Sequence, residues 1–229
     1  MRVAALYDVH GNLPALDAVL AEVDADVILV GGDAVAGPWP AEILARLRGL
    51  EGDVRFIRGN ADREIAEQTP GLAPPHLMEF VRSRLSAEEI DFLGSLPLTE
   101  SVAVDGLGDV LFCHATPRND EEIFTRISPD DRWRAALDGV EADVVVCGHT
   151  HIQFDRRIDD IRLINAGSVG MPYEHEPGAY WALLGPDVEL LRTPYAPADI
   201  AACGWPDEWP AATPEEATEF FERASRERA

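Results

Sequence analysis

The sequence predicts an α/β protein built on a parallel β-sheet with helices packed outside it. Three short apolar runs near the start of the chain each lead through a polar loop toward a segment with helical spacing of apolar residues. Successive strand, loop and helix units of this kind assemble as parallel sheets covered by helices. Later in the chain, short strands joined by tight turns predict a second, mixed sheet against the first.

The three units occupy the first quarter of the chain. Predicted strands cover residues 3–7, 27–30 and 54–57, and helices follow the first two at residues 13–23 and about 41–50. Sheets of this type place binding sites at the carboxyl ends of their strands. The polar loops that follow these strands are therefore the expected location of a functional site.

Residues 68–97 interrupt the repeated strand, loop and helix units with a proline-rich start and helical stretches at 77–85 and 87–93. We predict that this segment is either a cap over the site or a packed helical insertion, and we prefer the cap. The remaining elements are a hairpin (101–104 and 110–113), a helix (129–137), a strand at 144–146, later strands (154–158, 161–164, 180–184 and 188–191) and an amphipathic C-terminal helix at about 214–228. Together they predict a single domain over residues 1–229.

The composition indicates a soluble, globular protein and argues against several partners. The 229 residues are 46% hydrophobic, and 42 acidic against 19 basic residues give a formal net charge of −23. Such a charge disfavours duplex nucleic acid and anionic membranes. Because no apolar run approaches membrane-spanning length, we predict a cytoplasmic protein. A saline cytoplasm and simple solubility would each explain the charge, and the sequence specifies no oligomeric state.

The cysteines are predicted to be structural. Their odd number and unpaired spacing, at Cys113, Cys147 and Cys203, argue against a disulfide framework. Cys113 and Cys147 end apolar runs, so we interpret both as buried residues at strand ends.

The candidate chemistry begins with His149 and His151, which follow the apolar run at 144–146. On extended backbone, residues two apart point the same way, so the two imidazoles are predicted to face one place. That arrangement suits a metal site. Two histidines in a turn are as readily surface residues, so the pair needs support from the rest of the chain.

Support comes from the other apolar runs, which also end in residues of metal-ligand type. Each residue alone has an ordinary alternative as a helix cap or turn residue. The full set is Asp8, His10, Asp33, Asn60, His114, His149 and His151. Carboxylate, amide and imidazole ligands without thiolates suit manganese, iron, zinc, nickel or magnesium as divalent ions. Seven side chains exceed what one ion needs, whereas two ions that share Asp33 would use all seven.

These residues lie in motifs that resemble those of the calcineurin-like metallophosphoesterases, over residues 3 to about 184. The motifs stand in the family's order: Asp8-Val9-His10, Gly32-Asp33, Gly59-Asn60, His114, and Gly148-His149-Thr150-His151. The resemblance implies a four-layer αββα sandwich of two mixed β-sheets flanked by helices. The start of the chain and residues 165–170 look like the small bacterial branch with diadenosine tetraphosphatase-like and protein phosphatase-like members.

The resemblance also implies a distribution of the ligands between two ions, with manganese as the expected metal. Asp8, His10 and His151 would hold one ion, Asn60, His114 and His149 the other, and Asp33 would bridge them. The implied reaction is attack of a metal-bridging hydroxide on phosphorus. Asp33, Asn60 and His114 are the residues assigned to this catalytic centre.

The predicted substrate is a small phosphorylated or nucleotide-like molecule, with phosphodiesters preferred. A phosphomonoesterase and a diadenosine polyphosphate hydrolase are the alternatives among enzymes. A catalytically silent metal-binding scaffold is the alternative from another class. Degenerate scaffolds usually lose ligand residues, whereas all seven are present here, so the enzyme is the preferred interpretation.

One departure from the family pattern bears on catalysis. The family usually has a His after Gly-Asn, credited with protonating the leaving group or steadying the phosphate, and this chain has Ala61, followed by Asp62. We therefore predict that rates depend steeply on the acidity of the leaving group.

A second departure lies after Pro172, where relatives often carry a basic residue and this chain has Tyr173, Glu174 and His175. The predicted substrate contacts are Arg58, Arg118 and His175. For the two arginines, a surface ion pair is the alternative interpretation.

Overall fold

The computed structural model describes residues 1–71 and 73–228 and contains two β-sheets with helices on their outer faces. The strands are β1 (Val3–Leu6), β2 (Val27–Val30), β3 (Asp53–Phe56), β4 (Thr99–Val104), β5 (Gly108–Cys113), β6 (Val144–Cys147), β7 (Phe154–Ile158), β8 (Ile161–Asn165), β9 (Ala179–Leu184) and β10 (Val188–Thr193). The α-helices are α1 (Leu13–Glu22), α2 (Pro40–Arg48), α3 (Asn60–Glu67), α4 (Pro75–Ser83), α5 (Ala87–Ser95), α6 (Asp130–Ala136) and α7 (Pro214–Arg228). A short 3₁₀-helix covers Ile200–Cys203.

Each sheet has five strands and mixes parallel with antiparallel pairs. The first sheet has the order β10-β9-β1-β2-β3, and the second has the order β4-β5-β6-β8-β7. The neighbours β1, β2 and β3 are parallel in the first sheet, as are β5, β6 and β8 in the second. The predicted α/β class with two mixed sheets is therefore confirmed.

Alternation along the strands explains how the layers form. In β1, Val3 and Ala5 pack into a core shared with Phe112 of the second sheet, whereas Leu6 faces the helices on the other side. This follows from the strand geometry, in which successive side chains point to opposite faces. A third core around Trp133 lies between the second sheet and α6. The layers are thus helices, sheet, sheet and helix, as the resemblance implied.

The prediction was wrong about the C-terminal hairpin, which joins the first sheet and not the second. β9 pairs antiparallel with β1, and β10 pairs with β9 at the edge of the same sheet. Every residue of β9 is buried, with Leu183 in the core beneath the helices and Leu184 in the core between the sheets. Turn residues predict that two strands form a hairpin, but they carry no information about which sheet it joins.

Residues 68–97 contain α4 and α5, which pack onto the first sheet's helical layer. Val81 and Leu93 are buried in that layer's core. Leu77 and Met78 of α4 instead line a cavity next to the strand ends. The two helices therefore pack on the first sheet's helical layer, and α4 also lines this cavity. Within the described residues, none of the helices has the length and apolar character needed to cross a membrane.

The strands place five polar loops at one edge of the sandwich. The parallel strands β1, β2 and β3 end side by side, as do β5 and β6 in the other sheet. Backbone hydrogen bonds connect the loops: Asp8 N–H donates to Gly32 (3.1 Å), and Gly148 N–H donates to His114 (2.9 Å). The carboxyl ends of the two sheets thereby form one continuous rim.

Candidate metal centre

The seven predicted ligands meet at this rim, and all seven are buried. The loops after β1 and β2 contribute Asp8, His10 and Asp33, the first residue of α3 contributes Asn60, and the loops after β5 and β6 contribute His114, His149 and His151. Their side chains form two adjacent groups.

The first group consists of Asp8, His10 and His151, which offer ligand atoms within 4.8 Å of one another. The Nε2 atom of His151 lies 3.2 Å from Asp8 Oδ1, and that of His10 lies 3.7 Å from it. The two Nε2 atoms are 3.1 Å apart. These are the residues that the resemblance assigns to one ion.

The second group surrounds His114. Its Nε2 atom lies 3.2 Å from Asn60 Oδ1 and 3.5 Å from Asp33 Oδ2. The same Asp33 oxygen is 3.9 Å from His10 Nε2, so this carboxylate reaches both groups, as a bridging ligand must. The ring of His149 is 5.1 Å from that of His114 between centroids.

Backbone carbonyls orient three of the imidazoles. The Nδ1 atoms of His10, His114 and His151 lie 3.2, 2.9 and 2.7 Å from the carbonyl oxygens of Ala36, Gly31 and Met171. A carbonyl oxygen only accepts, so each Nδ1 carries the hydrogen and each Nε2 is left to face the centre. Histidines that bind metals are held in this way, with the second nitrogen donating to a carbonyl or carboxylate.

The backbone of these loops is not extended, contrary to the prediction for His149 and His151. Their φ angles are +66° and +58°, in the left-handed region. Asp8, His10 and Asp33 have φ angles of +52°, +45° and +51°. In the described chain, seven residues other than glycine have positive φ, and five of them belong to this cluster. Such strain gathers at functional sites, where the surrounding structure enforces it.

The left-handed turns change how the two histidines contribute. His151 points at Asp8, whereas the ring of His149 lies against that of His114. The pair therefore serves both groups and does not face one point. The prediction failed because it used strand geometry for residues that already lie in a turn.

Two buried atoms of the cluster have no hydrogen-bond partner among the described residues: Asp8 Oδ1 and His149 Nε2. A buried polar atom without a partner costs free energy, and in native proteins it usually indicates a ligand, an ion or a water. Both atoms are of kinds that bind divalent cations. The donor set therefore fits divalent metal ions.

The charges of the cluster also favour a cation. Burial alone would lower the pKa of His114, but the carboxylates of Asp33 and Asp8 raise it to about 10. Burial would likewise raise the pKa of Asp33, but His114 and His10 hold it at about 2. The same carboxylates that stabilise a proton on His114 would stabilise a metal ion in its place.

Comparison with known proteins assigns the family. The family model described as the calcineurin-like phosphoesterase superfamily domain matches residues 1–185 of this chain. The chain belongs to this superfamily. A metallophosphoesterase from Sphaerobacter thermophilus is similar in structure, with a TM-score of 0.73 and 28% identity over 90% of this chain and 95% of that one.

Two curated relatives are named for an activity. Phosphodiesterase YfcE of Escherichia coli strain K12 is 25% identical over 80% of this chain and 87% of its own. The symmetrical bis(5'-nucleosyl)-tetraphosphatase of Klebsiella pneumoniae strain 342 is 30% identical over 54% of this chain and 46% of its own. The resemblance inferred from the motifs is therefore confirmed for the superfamily, whose members depend on divalent metals.

The segment Asn165–Gly170, noticed in the sequence only as a resemblance, fastens the loops that carry the candidate ligands. Ser168 Oγ donates to the Asp8 carbonyl (2.7 Å), and Asn165 Nδ2 donates to the Gly148 carbonyl (2.7 Å). A Cβ atom on Gly148 would lie 2.5 Å from Asp8 Oδ2, so only glycine fits there. The segment thus positions loops from both sheets.

Two acidic residues support the cluster without having been predicted to do so. Asp62 Oδ2 accepts from the backbone N–H groups of Asp33 (2.8 Å) and Gly59 (3.0 Å), and burial raises the pKa of Asp62 to about 7. Glu64 Oε1 accepts from Asn60 Nδ2 (3.1 Å), which leaves Asn60 Oδ1 directed at His114. The i, i+4 spacing of Asn60 and Glu64 at the start of a helix was the available signal.

A cavity of about 340 Å³ opens beside the cluster. His10, Asp33, Asn60, His149 and His151 lie on its floor. Ala61, which replaces the usual family histidine, lies in its lining with 4% of its surface exposed. A substrate at the metal centre would therefore occupy this cavity.

The three predicted substrate contacts are not among the described residues that line the cavity. Arg58 donates through Nε to Asp120 Oδ2 (3.0 Å). Arg118 pairs with Glu122, and the exposed His175 lies 3.6 Å from Glu215. Arg58 and Arg118, which were chosen because each lies next to a ligand motif, pair with carboxylates outside the cavity lining, and the role of all three residues in substrate binding stays a prediction.

Proposed function

We propose that this phosphoesterase is a dinuclear-metal phosphodiesterase that hydrolyses small diesters, including nucleotide-type ones. Asp8, His10 and His151 would hold one divalent ion, Asn60, His114 and His149 the other, and Asp33 would bridge them. When bound, the two ions would activate water and neutralise the charge on the phosphoryl oxygens.

The observation that carries the preference for diesters is the charge of the cavity lining. Glu64, Asp207 and Glu208 line it, no arginine is among its described lining residues, and the chain contains no lysine. A diester brings one negative charge, whereas a monoester brings close to two and a polyphosphate brings more. Each additional charge outside the metal centre would meet carboxylates, so the lining favours the monoanionic substrate.

The chain's own backbone would hold the candidate ligand side chains in fixed positions during the reaction. Backbone carbonyls hold the imidazoles of His10, His114 and His151, and the N–H of Ala61 holds Asp33 Oδ1 (2.8 Å). Rigid ligands of this kind lower the reorganisation needed during the reaction. With Ala61 in the lining, the chain offers no imidazole at this position to protonate a leaving group.

There are two alternatives to this function. The name of the tetraphosphatase relative suggests a diadenosine polyphosphate hydrolase. The absence of the usual histidine at position 61 makes a catalytically silent scaffold the second alternative. The lining carboxylates argue against a polyphosphate, and the complete ligand set argues against the scaffold.

The deciding experiment compares bis(4-nitrophenyl) phosphate with 4-nitrophenyl phosphate after chelation and reconstitution with manganese. We expect kcat/KM to be at least about tenfold higher for the diester. Asp33→Asn should lower the diester rate about 100-fold or more, because even residues that only support metal ligands contribute about 10–100-fold. Asp138→Asn, an exposed residue on the loop before β6, is the matched control and should leave the rate unchanged.

The other outcomes select the alternatives. A faster monoester would identify a phosphomonoesterase. Two bound ions per chain with no turnover of either ester would replace the enzyme with the scaffold.

A further inference from the structure

The cavity above the metal centre has one wall made of aromatic residues. Tyr173, Phe220 and Phe221 line it, and the ring of Phe221 lies 6.2 Å from that of Tyr173 and 5.4 Å from that of Phe220. Trp205 also lines the cavity but packs on Phe80 of α4, with ring centroids 5.3 Å apart. The two phenylalanines come from the chain after residue 185, beyond the part that matches the family domain. The C-terminal segment therefore adds two of the three rings of this aromatic wall, and Tyr173 of the matched domain supplies the third.

The aromatic wall begins at the ligands themselves. The Tyr173 ring stacks on the imidazole of His151, with centroids 5.2 Å apart and an interplanar angle of 12°. The Phe221 ring lies 6.5 Å from that of His149 and 6.2 Å from that of Tyr173. A group esterified to a phosphate at the metal centre would meet these two rings first.

Phe221 is held firmly in this position. It is 5% exposed and packs in a core with Ile123 and Ile152 of the second sheet's loops. The next residue of α7 is Glu222, whose Oε1 accepts hydroxyl hydrogen bonds from Thr125 and Ser128, each at 2.6 Å. The ring is therefore a fixed surface and not a mobile side chain.

The rest of the apolar lining is largely aliphatic. Leu77 and Met78 of α4 face the same space, together with Ala73 and Pro74. A lining that combines aromatic faces with aliphatic side chains suits a flat group, which gains stacking as well as burial of apolar surface. The volume of about 340 Å³ is small for a substrate with two large groups.

We propose that the C-terminal segment is a specificity element that selects diesters with one flat aromatic group, of the size of a phenyl ring or a nucleobase. Phe221 and Tyr173 are its recognition surface. This inference rests on the proposed function for the position of the phosphate. It adds the chemical class of the group that the cavity accepts.

The test measures binding and does not require turnover. The manganese-loaded protein is titrated calorimetrically with methyl phenylphosphonate and with methyl methylphosphonate, two monoanions that differ only in the group joined to phosphorus through carbon. We expect the phenyl compound to bind about tenfold more tightly, since stacking on aromatic side chains is the main difference. Phe221→Ala should reduce that ratio about fivefold and change the methyl affinity less than twofold.

Two further variants separate recognition from folding. Phe221→Leu keeps apolar volume in the core but removes the flat face, so it should remain folded and still lose most of the preference. Phe92→Ala truncates a ring that packs on Phe56, outside the cavity lining, and should keep the wild-type ratio.

Each outcome decides the proposal. Equal binding of the two phosphonates, binding of neither, or an unchanged ratio in both Phe221 variants would overturn it. Loss of turnover with nitrophenyl esters, alongside a normal preference for the phenyl compound, would reject the proposed reaction and leave the recognition surface in place.

Discussion

The Asp8 carboxylate joins the two sheets at the metal centre. Its Oδ2 atom accepts the backbone N–H of His149 from the second sheet (2.9 Å), and its Oδ1 atom faces His151 at 3.2 Å. The histidines around Asp8 keep its pKa well below the ordinary value, although burial alone would raise it. One residue of the loop after the first strand thus orients a loop of the second sheet and offers a candidate ligand atom.

At the residue scale, Ala61→His tests the missing proton donor. Ala61 lies in the cavity lining near Asp33, so an imidazole there would stand beside the leaving group. We expect kcat/KM to rise about tenfold or more for diesters with poor alkyl leaving groups, because general acids contribute about 10²–10⁴-fold where protonation is needed. For nitrophenyl leaving groups, the change should be under threefold.

The control is Ala61→Gln, which adds a polar side chain of similar length without a titratable proton. The readout is the slope of log kcat/KM against leaving-group pKa across a series of aryl and alkyl diesters. A steep wild-type slope that Ala61→His leaves unchanged would show that protonation does not limit the reaction.

At the element scale, α7 depends on side-chain contacts outside its own turns. The helix carries seven charged residues among its first fourteen, and its buried positions include Ala217, Thr218 and Phe221. Its packing is reinforced where Glu222 accepts from Thr125 and Ser128 and where Arg132 donates to Ser225 (2.7 Å). The position of the aromatic wall therefore depends on these hydrogen bonds.

We predict that Glu222→Ala loosens α7 without unfolding the protein. Hydrogen bonds to a partly buried carboxylate contribute about 1.5–3 kcal/mol each, so the loss of both should lower the free energy of local opening by about 3 kcal/mol or more. Amide hydrogen exchange of residues 217–225 measures this change directly. Glu219→Ala, an exposed glutamate one turn earlier, is the matched control, and equal protection in both variants would contradict the assigned role of Glu222.

At the scale of the whole molecule, the net charge is large, because acidic residues far outnumber the basic residues that could pair with them. The chain has 42 acidic residues, and all 19 of its basic residues are arginines. Several arginines pair with two carboxylates at once, as Arg55 does with Asp53 and Glu100. A formal charge of −23 nevertheless leaves net repulsion across the surface, which favours the unfolded chain.

We therefore predict that salt stabilises the metal-free protein. Between 10 and 300 mM sodium chloride, the Tm should rise by about 3–6 °C, equivalent to about 1–2 kcal/mol for a chain of this size. The rise should level off near 0.5 M, where the Debye length is already a few ångströms. Calorimetry with a chelator present measures it, and a Tm that falls with added salt would mean that ion pairs outweigh the net repulsion.

Local sequence was sufficient for the strands and for the types of ligand. The apolar run Val27–Val30 matches β2, and the polar residues that follow the five strands ending at the rim lie there together. These features depend on a few neighbouring residues, whose spacing fixes which side chains are buried and where a strand ends. The seven residues could therefore be chosen from the sequence, although their role as metal ligands stays a prediction.

Local sequence did not reveal the contacts that join distant parts of the chain. The β9–β10 hairpin joins the first sheet, His149 and His151 adopt left-handed backbone conformations, and Arg58 hydrogen-bonds to Asp120. Each depends on a partner far away in sequence, and many pairings are compatible with the same local pattern.

By itself, the sequence determined the α/β class, the order of the strands along the chain and the set of candidate ligands, because short-range periodicity and residue chemistry encode them. Only the tertiary structure decided that the β9–β10 hairpin joins the first sheet, and it alone revealed the aromatic wall, which brings Phe221 of the last helix against His149. The physical reason is that packing and hydrogen bonding between the two sheets, the insertion and α7 are properties of the assembled chain.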